Sequence, residues 1–190
     1  KLTFEDSAAI GDDTSGNGND WTVNNLVASD VVLDSPTNNF AVLNPLSKAA
    51  GEPAGTKEGN THFIITSGSN YCSLATTVGA SSGKWYCEGV IKASSAIASA
   101  RTGGGVLRFD DPRNDAIGAA ATGWGYGSNG TLYNLGNNVT GAASLAVNDV
   151  FMLAIDLDAG KMWVGKNGTW ESSGDPATGT GEQFSNLTGD

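Results

Sequence analysis

The feature that most constrains the fold is a series of short segments in which apolar and polar residues alternate, each bounded by residues that favour turns. Such alternation places the apolar side chains on one face of a β-strand. Glycine contributes 27 of 190 residues, which disfavours long helices. The strand candidates are residues 1–5, 21–26, 31–33, 38–46, 62–67, 71–78, 84–92, 106–109, 116–126, 131–135, 149–156 and 161–166. We predict an all-β fold, an antiparallel β-sandwich of two stacked sheets with very little helix.

Two hairpins are marked by their turn residues. In the first, Asn129-Gly130 separates two aromatic segments, and Asn-Gly is a strong hairpin signal. In the second, residues 151–157 and 161–166 flank a three-residue loop that ends at Gly160, where a left-handed conformation favours glycine. Residues 47–60 offer little to bury, so we predict an exposed loop there.

The charge of the chain narrows the classes of partner. Its net charge of −10 repels nucleic-acid backbones and anionic membrane surfaces. The longest apolar run, residues 150–155, is far too short to span a bilayer. We therefore expect neither nucleic-acid binding nor membrane insertion. The chain opens at Lys1 without a targeting segment, and we expect a processed product or a piece of a longer polypeptide.

Catalytic residues are sparse. Asp156 and Asp158 are the best-spaced carboxylates, because residues two apart on a strand point the same way. Asp158, however, falls in a predicted hairpin turn, where Asp is a common turn former. His62 is the only histidine, a tetrahedral zinc site lacks ligands, and no Gly-x-Ser-x-Gly segment occurs. We expect no enzymatic activity and no cofactor, with calcium as the one exception considered next.

One polar loop near the start concentrates oxygen donors. Ca²⁺ prefers carboxylate and carbonyl oxygens on flexible loops. The donors here are Asp12, Asp13, Asn17, Asn19 and Asp20, interspersed with two glycines. The loop lacks the spacing of an EF-hand. It is either a calcium site or a solvated turn rich in Asp and Asn.

Two regions are candidates for ligand binding. Trp124 and Tyr126 alternate on one strand, and Tyr133 follows the turn, so the three can form an aromatic face or part of the core. The second region is a charged loop after a strand, and loops on a rigid sandwich often carry recognition. Its candidate residues are Arg108, Asp110, Arg113 and Asn114. A solvated connection is the alternative for that loop.

The two cysteines can face each other. If residues 71–78 and 83–87 form a hairpin about the turn at 79–83, Cys72 and Cys87 are directly opposed. Opposed residues on paired strands lie within the Cα separation that a disulfide requires. Free thiols are the alternative, because a protein that folds in a reducing cytosol keeps its cysteines reduced.

Residues 83–91, Gly-Lys-Trp-Tyr-Cys-Glu-Gly-Val-Ile, resemble a strand of the SPRY domain family. Three further segments follow in the order of that family: a Gly-Trp and Tyr region within 117–130, a strand ending Asp-Leu-Asp at 148–158, and the hairpin at 161–168. The resemblance covers residues 83–168. It implies a β-sandwich related to concanavalin A-like, laminin-G-like and jelly-roll folds.

Two regions depart from the usual SPRY pattern. Residues 2–46 are similar to the opening of SPRY-type modules in tail fibres and other virion appendages of marine bacteriophages. Residues 169–190 are polar and stop before the further strand that SPRY domains normally add. We predict one domain over 1–190, with leader strands and a polar loop at 1–46, the SPRY-like region at 61–168, and a polar, truncated tail at 169–190.

The resemblance implies a non-catalytic recognition module on a virion surface or another extracellular surface. SPRY domains bind partners through loops at one end of the sandwich. We expect a module that binds a host-surface glycan or protein, with other virion proteins or copies of itself as structural partners. A jelly-roll glycan hydrolase and a ligand-free decoration domain of a capsid or fibre are the alternatives.

Overall fold

The computed structural model describes residues 1–31, 40–47, 54–65, 73–92, 103–108, 117, 121–135 and 137–187. The chain divides into two compact units, an N-terminal unit, Lys1–Gly79, and a C-terminal unit, Ala80–Asp190. The assignment of the whole chain to a single domain stays a prediction.

Nearly all regular structure in the described residues is β-structure. The strands are β1 (Ala54–Lys57), β2 (His62–Ile65), β3 (Lys84–Val90), β4 (Gly103–Leu107), β5 (Gly123–Gly127), β6 (Thr131–Asn134), β7 (Asn137–Thr140), β8 (Val150–Asp156), β9 (Lys161–Lys166) and β10 (Thr169–Trp170). Two 3-10 helices, Ala28–Asp30 and Glu171–Ser173, are the helical segments of that part of the chain. No helix within the described ranges has the length and apolar character needed to cross a bilayer.

The N-terminal unit contains one hairpin. β1 pairs antiparallel with β2, with Lys57 opposite His62, and Leu43 forms an isolated bridge with Thr76. The strand predicted at 62–67 is confirmed over its described part. The exposed loop predicted at 47–60 is wrong where β1 lies, because the apolar strand β2 supplies a partner that local sequence does not reveal.

Four of the strands predicted in the N-terminal unit do not form in their described parts, namely 1–5, 21–26, 38–46 and 71–78; the last two contribute only the Leu43–Thr76 bridge. Residues 1–5 and 21–26 are irregular, and both segments contain a residue with positive φ, Phe4 at 55° and Asn25 at 59°. A left-handed residue turns the chain out of the extended conformation. The alternation in these segments therefore does not become a strand.

The C-terminal unit contains two four-stranded antiparallel sheets. The first sheet has the order β10-β9-β8-β3, and the second sheet has the order β4-β5-β6-β7. The strand predicted at 161–166 has the bounds of β9, and those predicted at 84–92, 131–135 and 149–156 each contain an observed strand. The predicted all-β class is confirmed.

The core of this unit lies between the two sheets. Leu153 of β8 and Met162 and Val164 of β9 face inward from the first sheet, and Trp124 and Tyr126 of β5 face inward from the second. The members of the core cluster are all almost fully buried. They are Ile91, Trp124, Tyr126, Leu145, Leu153, Met162, Val164 and Leu187. The period-2 alternation of these strands therefore builds a sandwich.

Both predicted hairpins are present. β5 pairs with β6 across Asn129-Gly130, where Gly130 has φ of 79°. β8 pairs with β9, with Asp156 opposite Lys161, so the loop has four residues, 157–160, and the predicted three-residue loop is one residue too short. Gly160 has the left-handed conformation predicted for it, with φ of 66°.

The segment predicted as a polar tail packs against the sandwich over its described part. Its β10 pairs with β9, and Phe184 forms a bridge with Met162. The Gln183 side chain accepts a hydrogen bond from the Val164 N–H at 2.8 Å, and Leu187 is 6% exposed. Polar residues such as Gln183 serve here as partners for backbone groups at the sheet edge.

A cluster around Asp149 ties the start of β8 to the end of β9. Its carboxylate accepts hydrogen bonds from Lys166 Nζ at 2.7 Å, Asn167 Nδ2 at 2.7 Å and the Ala146 N–H at 2.6 Å. Asn167 in turn accepts a hydrogen bond from the Val150 N–H. The lysine, followed by the other donors, lowers the pKa of Asp149 from 3.8 to about 2.

The cluster predicts an acid-dependent loss of stability. Because the pKa of Asp149 is lower in the folded chain than in the unfolded chain, its contribution is present above about pH 4 and is lost as the pH falls towards 2. We expect Asp149→Asn to be less stable than the wild type at pH 7, with the difference shrinking between pH 4 and 2.5. Urea titrations at several pH values measure it. Lys166→Gln should shrink the same pH dependence, whereas a constant difference between wild type and Asp149→Asn would contradict this role.

Candidate functional site

The outer face of the first sheet carries the candidate site. Alternation puts Lys84 and Tyr86 of β3 on the face opposite the core, together with their cross-strand partners Asp156 and Ala154 of β8. Trp163 of β9 is opposite Ala154 on the same face. One cross-strand row therefore runs from Tyr86 through the small Ala154 to Trp163. Ala154 is 7% exposed and Trp163 1% exposed, so these two residues form the floor of a recess and Tyr86 is its exposed aromatic wall.

The recess widens into an open groove of about 420 Å³. We name it the aromatic groove. Its lining residues are Lys84, Trp85, Tyr86, Ala154, Ile155, Asp156, Trp163, Trp170, Asp175, Pro176 and Ala177. Small-molecule sites have volumes of about 300–1,000 Å³, so the aromatic groove has room for a small ligand.

The aromatic side chains of the groove are held in place. The Tyr86 and Trp170 rings meet edge to face, with centroids 6.2 Å apart and an interplanar angle of 82°. The Trp85 indole N–H donates to the Ser82 carbonyl at 2.8 Å, and that of Trp163 donates to the Thr180 carbonyl at 2.7 Å. Rings that are fixed in advance lose little freedom when a ligand binds.

Tyr86 has a second constraint at its hydroxyl. The hydroxyl donates to Glu88 at 2.7 Å, and this hydrogen bond to a carboxylate raises the pKa of Tyr86 to about 12. The ring is therefore fixed at both ends of its side chain. Tyr86 nevertheless stays 55% exposed, and Trp170 is partly exposed beside it. Exposed aromatic rings in fixed positions form a surface onto which an apolar ligand face can stack.

Charged groups border the aromatic surface. Lys84 Nζ lies 3.5 Å from an Asp156 carboxylate oxygen, and the other Asp156 oxygen accepts the Ala159 N–H at 2.9 Å. The Ala159 N–H, with a smaller contribution from Lys84, lowers the pKa of Asp156. Hydrogen bonds from the Thr178 side chain and the Ala177 N–H lower the pKa of Asp175. Both carboxyl groups are therefore ionised acceptors at neutral pH.

Asp158 and Asp156, the carboxylates with the best spacing for catalysis, both have other partners in the structure. Asp158 accepts the Gly83 N–H at 3.0 Å, and the Asp156 carboxylate is held by Lys84 and the Ala159 N–H. A glycosidase needs one carboxyl group with a raised pKa as the general acid. The lowered pKa of Asp156 is the opposite of that requirement. The chemistry that the groove supports is ring stacking together with hydrogen bonding.

Comparison with known proteins bears on the fold. No protein-family model matches this chain, and no curated protein matches it. Among solved structures, the SPRY domain of human HERC1 matches with a TM-score of 0.55 over 70% of this chain and 84% of that domain, at 19% sequence identity. The fold is SPRY-like. At this identity the likeness concerns the fold alone, and it agrees with the sandwich that the SPRY motifs implied.

The aromatic residues first considered for binding lie in the core of this SPRY-like fold. Trp124 and Tyr126 are each 1% exposed and face the first sheet, so a ligand at the surface does not reach them. The Tyr126 hydroxyl donates to the Ala143 carbonyl, and burial raises the pKa of Tyr126. Tyr133 is also buried, and it pairs with Gly125, so its side chain projects from the opposite face of the second sheet. We therefore assign all three residues to packing.

The charged loop falls largely outside the described residues. Asp110, Arg113 and Asn114 are among the residues that the structure does not describe. Arg108 is half-buried at the end of β4, and its backbone N–H donates to the Thr122 carbonyl at 2.8 Å. A recognition role for this loop stays a prediction.

The polar loop of the N-terminal unit is organised around Asp13. Its carboxylate accepts hydrogen bonds from the backbone N–H and hydroxyl of Ser15, from the Asn19 N–H and from the Lys1 amino group. Asp20 accepts the Asp13 N–H at 2.9 Å. Within the described ranges, no group of three or more His, Cys, Asp or Glu residues is arranged to hold a metal ion. The calcium site at Asp12, Asp13, Asn17, Asn19 and Asp20 stays a prediction, with the Asp- and Asn-rich turn as its alternative.

Only one of the two cysteines of the predicted disulfide belongs to the described residues. Cys72 lies outside the described residues, and Cys87 is a free thiol on an exposed part of β3. Residues 73–78, the described part of the predicted strand at 71–78, form no strand. The Ala75 carbonyl accepts the Asn44 N–H, and the Thr77 N–H donates to the Val42 carbonyl. The hairpin from which the disulfide was inferred is therefore wrong in this part, because the segment has other backbone partners.

Most of the aromatic groove is not evident from the sequence. Trp85 and Tyr86 were used as part of a family signature, and Trp170 and Asp175 were placed in a polar tail. One local signal was available, since alternation separates Tyr86 from Trp85 and puts it on the face of Lys84. The register that brings Trp163 and Trp170 onto that face is a tertiary property.

Proposed function

We propose that this chain is a non-catalytic recognition module of a bacteriophage virion appendage, and that it binds a host-surface glycan in the aromatic groove. The observation that carries the proposal is the edge-to-face pair of partly exposed rings, Tyr86 and Trp170, bordered by Lys84 and Asp175.

The composition of the groove suits a sugar. One face of a pyranose ring is built of C–H groups, and its edge carries hydroxyls. The rings of Tyr86 and Trp170 offer an apolar surface, while the carboxylates of Asp156 and Asp175 accept hydroxyl hydrogen bonds. Apolar walls with a few polar groups in fixed positions are the general pattern of small-ligand sites.

The virion assignment has a separate source. It rests on the similarity of residues 2–46 to the opening of SPRY-type modules in phage appendages. A glycan-binding module on the outside of a virion would meet host polysaccharide, and the net charge of −10 suits a soluble exterior protein. The lowered pKa of Asp156 supports binding without hydrolysis.

The first test removes the aromatic surface. We expect Tyr86→Ala and Trp170→Ala each to weaken binding to host cells, or to the best glycan of an array, by at least about tenfold, because each variant removes a stacking surface. Ala154→Leu should have the same effect by filling the recess without removing a ring. Binding is measured by biolayer interferometry on immobilised glycan, with thermal melts to verify folding.

Trp21→Ala is the matched control. Trp21 is 70% exposed and belongs to the N-terminal unit, so the variant loses an exposed indole outside the groove. We expect it to bind as the wild type does. Equal binding by folded Tyr86→Ala and wild type would contradict the site, and release of reducing sugar by the wild-type protein would contradict the non-catalytic function.

A further inference from the structure

The charges around the aromatic groove indicate which class of sugar it binds, and this inference rests on the proposed function. Among the described residues that line it, Lys84 is the cation, and Asp156 and Asp175 are the anions. Lys84 Nζ lies 3.5 Å from an Asp156 carboxylate oxygen, so its charge is already paired with a carboxylate of the groove. The charge of the lining is therefore −1.

The carboxylates beside the lining add to this negative field. Glu88 accepts the Tyr86 hydroxyl, and Asp158 accepts the Gly83 N–H next to Lys84. A further lysine, Lys161, lies opposite Asp156 in the strand register, forms an ion pair with Glu182 at 3.1 Å and donates to the Gly179 carbonyl. Like that of Lys84, its charge is therefore paired with a carboxylate. An anionic ligand would have to compete for both lysines while it approached several carboxylates.

We infer that the aromatic groove selects neutral saccharides and discriminates against those that carry a carboxylate, sulfate or phosphate. A neutral pyranose stacks its C–H face on Tyr86 and Trp170 and donates its hydroxyls to Asp156 and Asp175. Hydroxyl donors to an ionised carboxylate make short, strong hydrogen bonds. An acidic sugar brings like charge to the same carboxylates and gains no unpaired cation in return.

The test compares sugars that differ only in charge. The probes are neutral hexose oligosaccharides and oligosaccharides of the corresponding uronic acids, on one array and then by titration calorimetry. We expect the neutral member of a binding pair to bind at least about tenfold more tightly at low salt. Raising NaCl from about 0.05 to 0.5 M should narrow this ratio, because salt screens the repulsion of the acidic member.

One variant changes the charge and keeps the shape. Asp175→Asn removes a carboxylate from the groove wall but retains a side chain of the same size. We expect it to bind uronic-acid oligosaccharides several-fold more tightly than the wild type does. Asp6→Asn is the control, since Asp6 is an exposed carboxylate of the N-terminal unit that accepts the Ala8 N–H, and it should leave the ratio unchanged.

The outcomes separate this inference from the proposed function. Tighter binding of acidic sugars, or a ratio that Asp175→Asn does not move, overturns the inference while glycan recognition stands. Absence of binding to every glycan, neutral or acidic, overturns the proposed function and the inference with it. Preference for a neutral sugar that is lost in Tyr86→Ala supports both.

Discussion

Replacing Trp124 with alanine is expected to lower the free energy of unfolding of the C-terminal unit by about 3–5 kcal/mol. Trp124 is 1% exposed and belongs to the cluster between the two sheets. Its indole N–H also donates to the Asn186 side chain at 2.9 Å, which connects β5 to the C-terminal segment. The substitution leaves a cavity between the sheets and an Asn186 oxygen without its partner. Urea denaturation followed by circular dichroism measures the change.

Two further variants separate the contributions of Trp124. Trp124→Phe keeps most of the apolar volume and removes the donor to Asn186, so we expect a loss of only about 1–2 kcal/mol. Trp21→Ala removes a 70% exposed indole and should change stability by less than about 0.5 kcal/mol. Near wild-type stability of Trp124→Ala, together with impaired glycan binding, would contradict the core assignment and restore the binding role first considered for this residue.

Gly104→Ala is expected to destabilise the C-terminal unit by about 1–3 kcal/mol, although it adds a single methyl group. A Cβ at Gly104 would lie 2.3 Å from Phe151 Cε2, and a Cβ at Gly89 would lie 2.5 Å from Phe151 Cζ. The Phe151 ring therefore occupies space left by two glycines, one in each sheet. The ring is partly buried and packs against the core cluster, so displacing it costs part of that packing. Thermal and urea unfolding of the purified chain report the loss.

A compensating substitution tests this packing. Phe151→Leu shortens the side chain that the new methyl group meets, so the double variant Gly104→Ala/Phe151→Leu should lose less stability than the sum of the two single variants. Gly141→Ala is the matched control, because a Cβ at Gly141 has no atom within 4 Å. That control should be neutral or slightly stabilised. Strict additivity of Gly104→Ala and Phe151→Leu would show that the glycine and the ring do not share this space.

Strands and turns were predictable where local chemistry decides them. β9 has the predicted bounds, and Gly130 and Gly160 both have the left-handed conformation that their turns require. Prediction failed where a partner distant in the sequence decides whether a segment forms a strand. β1 exists because β2 lies beside it, and residues 1–5 stay irregular although their pattern alternates. A strand is stable only with partners for its backbone groups, and a local pattern does not name them.

The candidate site was less predictable than the fold. Asp156 was identified as a candidate for catalysis, but its contacts with Lys84 and the Ala159 N–H make it an ionised acceptor. Trp124 and Tyr126 were candidates because they are aromatic and share a face, and that face is the one that the first sheet covers. Alternation identifies two faces of a strand, but only the second layer decides which face is buried.

The sequence by itself determined the class of fold, the hairpins and the SPRY-like character of residues 83–168, because periodicity, turn residues and motif order act over a few neighbouring positions. Only the tertiary structure decided that the row Tyr86, Ala154 and Trp163 forms a groove, and that the C-terminal segment supplies Trp170 and Asp175 to it. The physical reason is that a groove consists of side chains from strands far apart in the chain, and the register of their pairing sets which of those side chains meet.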